Sequence, residues 1–216
     1  MKNTTSKENI LKKIRKALSH PVPLPFPQSE GNQTVFKPNG EELEVVFARE
    51  FSALQGKFVY CQNEAELGMQ LETLVNQMQW KEVYCRESAT GDMLSRHGFT
   101  RFGQGSLENC DAAITGCELL IARTGSIVMS AAQDSGRTVS VYAPVHICIA
   151  YMNQLVYELK EGLQMLKEKY ARELPSMITF ATGPSRTADI EKTLIVGVHG
   201  PKEVFVFLVD SQQPPR

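Results

Sequence analysis

From residue 58 onward, short apolar runs alternate with longer stretches that carry apolar residues at helical spacing, and this alternation limits the fold more than any other feature. FVYC (58–61) and EVYC (82–85) read as strands. Between them, EAELGMQLETLVNQM (64–78) places Leu67, Leu71, Leu74, Val75 and Met78 on one helical face. A short polar helix is expected around 88–96, and five strand-like pieces then crowd residues 111–150: DAAITG, ELLIA, SIVMS, TVSVYAP and VHICIA. QLVYELKEGLQMLKEKY (154–170) reads as a helix with Leu155, Leu159, Leu163 and Leu166 along one stripe, and MITFATG (177–183) and EVFVFLVD (203–210) read as the closing strands. Strands separated by helices of about 10–15 residues imply an α/β sandwich around a mostly parallel sheet. The crowded strands between 111 and 150 make part of that sheet mixed.

Ahead of this body stands a different kind of segment. Thr5 and Glu8 fit a capping box, and Ile10, Leu11, Ile14, Ala17 and Leu18 recur on one helical face. Lys12, Lys13, Arg15 and Lys16 lie toward the C-terminal end, where the helix dipole favours cations. PVPLPFP (21–27) cannot continue a helix and reads as a stiff extended spacer. The expected organisation is therefore an amphipathic helix plus Pro-rich spacer over 1–27, then an α/β domain over 40–210 whose first element is a helix within EELEVVFAREFSAL (41–54). The leading helix would dock on its own domain or on a neighbouring subunit; it is short for a membrane-surface helix and lacks aromatic anchors.

At 216 residues one domain with a small appendage is the default. The net charge of -1 lacks the basic footprint of a nucleic-acid binder. No apolar run reaches the ~20 residues of a membrane span, and the amino terminus has no apolar core followed by a cleavage site, so a cytoplasmic protein is expected. The five cysteines (Cys61, Cys85, Cys110, Cys117, Cys148) form no C-x-x-C pair and sit mostly in strand-like runs, which points to buried structural thiols and no metal in this chain.

Three loops carry candidate chemistry. ARTGSIV (122–128) joins two apolar strands; Thr124, Gly125 and Ser126 read either as a polar hairpin turn or as a cradle for an anion. TGPSRTADIEK (182–192) follows a strand and is the densest in chemistry. Gly183 and Pro184 force a turn, Ser185 and Thr187 can donate to phosphate or carboxylate oxygens, and Arg186 can grip them bidentately. Ligands of open α/β sheets bind beyond the carboxyl ends of strands, where this loop is expected. The bland alternative is a helix cap with a surface Asp189–Arg186 pair. In GVHGPKEV (197–204), His199 between glycines reads as a general acid or base or as a plain turn residue. His146, inside VHICI, reads as a satisfied core residue. The chain has no phosphate-binding P-loop, no G-x-S-x-G elbow and no H-E-x-x-H pair.

At these same loops the sequence resembles the lactate utilization protein C family of LUD-domain proteins. The resemblance rests on TG-x-x-x-LIA-x-TGS (115–126), Tyr142-Ala143-Pro144-Val145-His146 and TGPSRTADIEKTLIVGVHGPKEVFVFLVD (182–210). It extends over about residues 40–210, and the helix-plus-proline amino terminus is also typical of the family. It implies a three-layer fold similar to the NagB/RpiA/CoA-transferase group. It also implies a role in oxidising L-lactate to pyruvate beside two iron–sulfur partner proteins, which carry the clusters that this chain lacks. It departs at Arg123, where family members commonly carry an acidic residue; an arginine there would make a pocket more anion-friendly.

The expected function is thus a non-cluster subunit of an iron–sulfur L-lactate oxidation system. Its pocket for an anionic small molecule is built from Thr124, Gly125, Ser126, Gly183, Ser185, Arg186 and Thr187, with His199 as the catalytic candidate. The alternatives are a stand-alone enzyme on a phosphorylated or CoA-linked metabolite, for which Glu118 or Glu191 would be the nucleophile, and a structural or regulatory docking module.

Overall fold

The computed structural model describes residues 6–19, 36, 40–103, 105–171, 173–188, 194–197 and 199–211. The chain divides into two units, residues 1–37 and 38–216. In the first, α1 (Ser6–Leu18) forms as the periodicity predicts and buries none of its residues. Thr5 of the expected cap and the proline spacer lie outside the described residues.

The second unit opens with α2 (Leu43–Ala53), β1 (Lys57–Cys61) and α3 (Glu64–Met78). Asn63 starts α3 by accepting the Glu66 amide at 2.9 Å, and the helix buries Leu67, Leu71 and Val75 at four-residue spacing before a left-handed residue, Gln79, ends it. Then come β2 (Val83–Cys85), α4 (Ser88–Arg96), β3 (Ala112–Thr115), β4 (Leu119–Ile121) and β5 (Ser126–Ser130). The chain continues through α5 (Val139–Tyr142), β6 (Val145–Tyr151), β7 (Leu155–Val156), α6 (Leu159–Tyr170) and β8 (Ile178–Ala181), and closes with β9 (Arg186–Ala188), β10 (Leu194–Val196) and β11 (Glu203–Val209).

Five strands form one parallel sheet in the order β1-β11-β6-β3-β2. Strands buried on both faces need continuous apolar runs, and β6 and β11 supply them: every residue of VHICIAY is buried, as are six of the seven in EVFVFLV. One face, with Ile147, Ile149 and Phe207, packs on α3 and α4 through Leu67, Leu71 and Leu94. The opposite face, with Cys148, Ala150 and Val206, packs on Phe47 and Phe51 of α2 and on Leu120 and Ile127.

The mixed pairing expected between 111 and 150 is there, but as a sheet of its own. The order is β7-β4-β5-β8, with β4 and β5 antiparallel, β5 and β8 antiparallel, and β7 parallel to β4. Its outer face, Leu119, Ile121 and Val128, is covered by Leu166 of α6. The α/β sandwich thus gains a second, smaller sheet on one side. β9 and β10 form a separate antiparallel pair.

Two segments differ from the sequence reading. TVSVYAP alternates like a strand but forms the short helix α5, closed by the Val141 and Tyr142 amides on the Thr138 carbonyl at 3.0 Å each. Only Val139 finds a core, against Ala113 and Ala143, while Val141 is exposed. The helix expected from residue 154 starts at Leu159, because Leu155 and Val156 pair with β4 and the Glu158 side chain caps the helix by accepting the Leu159 amide.

Candidate functional site

The loop after β8 does follow the carboxyl end of a strand, but that strand belongs to the small sheet. Relative to the parallel sheet the loop lies at the opposite end. The Ser185 amide donates to the Pro201 carbonyl at 2.9 Å, just before β11 begins, and the Gly197 amide donates back to the Ser185 carbonyl at 3.0 Å. Here, at the amino ends of β6 and β11, a cavity of about 250 Å³ opens. Its polar lining includes Ser140, Thr179, Thr182, Ser185, His146 and His199. Met129, Val141 and Val204 supply apolar wall. The volume falls below the ~300–1,000 Å³ of drug-sized sites and suits a small metabolite.

Of the residues singled out in the sequence, Gly183, Ser185 and His199 line this cavity. Gly200 is needed beside them: a Cβ there would lie 2.9 Å from that of Ser185. Thr124, Gly125 and Ser126 do not line it. They form the turn between β4 and β5, and their hydroxyls bond in a chain, Thr124 Oγ1 to Ser126 Oγ at 2.7 Å and Ser126 Oγ to Thr182 Oγ1 at 2.9 Å. The chain therefore ends on a residue of the cavity wall. Gly125 has a φ of 58°, and a Cβ on it would stand 2.6 Å from the Phe51 amide nitrogen, so this glycine lets α2 approach the turn.

Arg186 has another partner. Its guanidinium donates to the Leu54 carbonyl at the end of α2, and it does not line the cavity. Thr187 stands in β9 opposite Ile195. Asp189, Glu191 and Lys192 lie outside the described residues, so the expected Asp189–Arg186 pair does too. Arg123 is likewise committed elsewhere: it grips Glu158 bidentately at 2.6 and 2.9 Å, which raises its own pKa and lowers that of Glu158. Its charge is balanced there, so it does not make the cavity more anion-friendly.

Sequence reasoning passed over His146. It is fully buried, forms part of the cavity wall, and bonds through Nε2 to Thr115 Oγ1 at 2.8 Å, while Nδ1 has no partner among the described residues. Burial lowers its pKa to about 4, so the ring is neutral near pH 7. The signals in the sequence were a histidine where β6 otherwise carries apolar residues and its place at the end of the Tyr142–His146 stretch that carries the family resemblance. Two more buried atoms without partners, Glu87 Oε1 and Gln133 Nε2, belong to side chains that converge over Gly116, next to Thr115.

Glu118 is the contrasting case. Burial pushes its carboxyl up, but bonds from Lys169 (2.6 Å), Ser130 (2.7 Å) and Tyr170 (2.7 Å) outweigh that and hold its pKa below the ordinary value. Four of the five cysteines are buried and Cys85 half-buried, and burial pushes the Cys61 and Cys85 thiols up to about 12. Among the described residues no group of three His, Cys, Asp or Glu is arranged to hold a metal ion, and no helix is long and apolar enough to cross a membrane.

A parallel sheet backed by a smaller mixed one, with a metabolite-sized cavity at its amino edge, defines an α/β sandwich protein. More particularly, the chain belongs to the LUD domain family, whose model matches residues 100–209. It is similar to the lactate utilization protein C of Bacillus licheniformis, 34% identical over 107 residues. That alignment covers 49% of this chain and 45% of the relative, so the matched stretch spans less than half of that protein. The protein of the same name from Shouchella clausii is 28% identical over 190 residues, covering 80% of this chain and 81% of the relative. Among solved structures, a DUF162 family protein from Deinococcus radiodurans has the same fold, with a TM-score of 0.58 at 20% identity over 77% of this chain and 96% of that one.

Proposed function

We propose that this chain is the subunit without iron–sulfur clusters in an L-lactate-oxidising system, and that its cavity binds the small anionic substrate or product. The observation that carries the reading is the meeting of Gly183, Ser185 and His199, from the loops on either side of the β9–β10 pair, on one metabolite-sized cavity. The names of the LUD relatives supply the substrate. Hydroxyls of Ser140, Thr179, Thr182 and Ser185 offer donors for a carboxylate. As lactate becomes pyruvate its carbon gives up a hydride, and its hydroxyl loses a proton to His199. No side chain accepts a hydride, so the hydride passes to a hydride acceptor that this chain does not supply, which favours a complex over a lone enzyme. A cytoplasmic complex follows from this reading.

The alternative of acyl transfer through Glu118 is disfavoured, because that carboxylate is buried and held by three hydrogen bonds. The test is lactate-dependent dye reduction in extracts of source cells lacking this gene. Activity is expected to vanish on deletion and to return with the wild-type chain but not with Ser140→Phe, which fills the cavity from α5. Unchanged activity on deletion, with no other lactate dehydrogenase present, overturns the proposal.

A further inference from the structure

His146 and Thr115 together define a polar feature of the cavity wall that the function above does not yet use. The Thr115 hydroxyl has one proton, and it has an acceptor for it in the Gly116 carbonyl at 2.8 Å. Its oxygen is then free to accept from His146 Nε2 at 2.8 Å. This arrangement makes two hydrogen bonds. The opposite tautomer, with Thr115 donating to Nε2, makes one and strands both the Gly116 carbonyl and an Nδ1 proton. The proton of the neutral ring therefore sits on Nε2, and Nδ1 is a bare acceptor.

A buried acceptor without a partner destabilises the unliganded chain, and a bound donor removes that penalty. Apart from the exposed His199, the other polar side chains of the wall are hydroxyls, which give or take a hydrogen bond as the ligand requires. Nδ1 can only accept while the ring is neutral, and it belongs to a buried residue of the cavity wall, which makes it the acceptor fitted to discriminate.

We propose that His146 Nδ1 accepts a hydrogen bond from the hydroxyl of the bound acid, and that His146 is the positioning residue that makes the cavity select hydroxy acids over acids lacking the hydroxyl. This rests on the reading of the cavity as the site of a small carboxylate. Thr115 acts through His146 by fixing its tautomer. The carboxylate end goes to the serine and threonine hydroxyls.

The experiment compares binding of L-lactate and propionate, which differ by the hydroxyl alone, to the full chain by titration calorimetry. The wild type is expected to bind lactate about 10-fold more tightly than propionate, the discrimination worth one hydrogen bond. His146→Gln keeps a polar group where Nε2 meets Thr115 but removes Nδ1, and is expected to bring the ratio to about one with propionate affinity unchanged. Nitrogen NMR of the wild-type His146 ring, which needs no variant to fold, should find Nδ1 unprotonated and shifted by lactate but not by propionate. Equal binding of the two acids, or selectivity that survives His146→Gln, overturns the role of His146 and leaves the carboxylate cavity standing. If neither acid binds, the cavity reading and this inference fall together.

Discussion

Glu118 and His146 are both buried polar side chains, yet they end in opposite conditions. Both Glu118 oxygens are engaged, one by Lys169 and the other by Ser130 and Tyr170. His146 satisfies one nitrogen and leaves the other bare beside a cavity. A saturated buried group holds a fold together, because removing any partner leaves a desolvated atom behind. An unsaturated one beside a cavity keeps its capacity for a ligand. The difference separates framework from site more cleanly than residue type does, since in the sequence the glutamate was the nucleophile candidate and the histidine the core residue.

The sharpest way to break this contrast is Glu118→Ala. It is expected to lower stability by about 3 kcal/mol in urea denaturation, because it strands the Ser130 and Tyr170 hydroxyls, while leaving affinity for lactate within a factor of about two. A large loss of affinity with little loss of stability would reverse the assignment. Acid titration should separate the two groups by pH window. His146 falls from an ordinary 6.5 to about 4 in the folded chain, so the unfolded state takes up its proton first. Its contribution is complete above pH 6.5 and is lost as pH falls toward 4, about 3 kcal/mol in all. Glu118, with its pKa lowered from 4.5, adds its own loss only below that value. His146→Gln should therefore flatten the urea midpoint between pH 6.5 and 4, and a slope that persists in the variant would show that other groups set it.

Two smaller effects refine the comparison. Ser130→Ala removes one of the bonds to Glu118 and the acceptor of the Ala132 amide, so a loss of about 1–2 kcal/mol is expected by thermal unfolding. Arg186→Ala, on the Leu54 carbonyl, should cost at most about 1 kcal/mol and change lactate affinity less than about two-fold. A ten-fold loss of affinity would return the guanidinium to the ligand.

Much of the framework was legible in the residues. The helix read over 64–78 forms over those residues, because its apolar spacing, its Asn63 cap and its polar face all agree. The run EVFVFLV could only be a strand buried on both faces. TVSVYAP misled because alternation over so few residues does not separate a strand from a single helical turn, and here the chain closes one turn on the Thr138 carbonyl before entering β6. For the site, the density of glycine, proline and hydroxyls drew attention to Gly183 and Ser185, which line the cavity. It also drew in Arg186 and Thr124 to Ser126, which serve the packing of α2 and the β4–β5 turn instead.

Local patterning therefore determined the α/β class, most strand positions and the two loops that meet at the cavity, since periodicity and turn chemistry act over a few residues. Tertiary structure decided which sheet each strand joined, and with it the end of the molecule at which those loops meet. It also decided which polar groups became saturated. Glu118 finds Lys169 and Tyr170 from a helix some fifty residues later, and His146 finds Thr115 from a neighbouring strand. Hydrogen-bond capacity is a property of one side chain, but its satisfaction depends on whatever the fold brings within about 3 Å, and no local window contains that information.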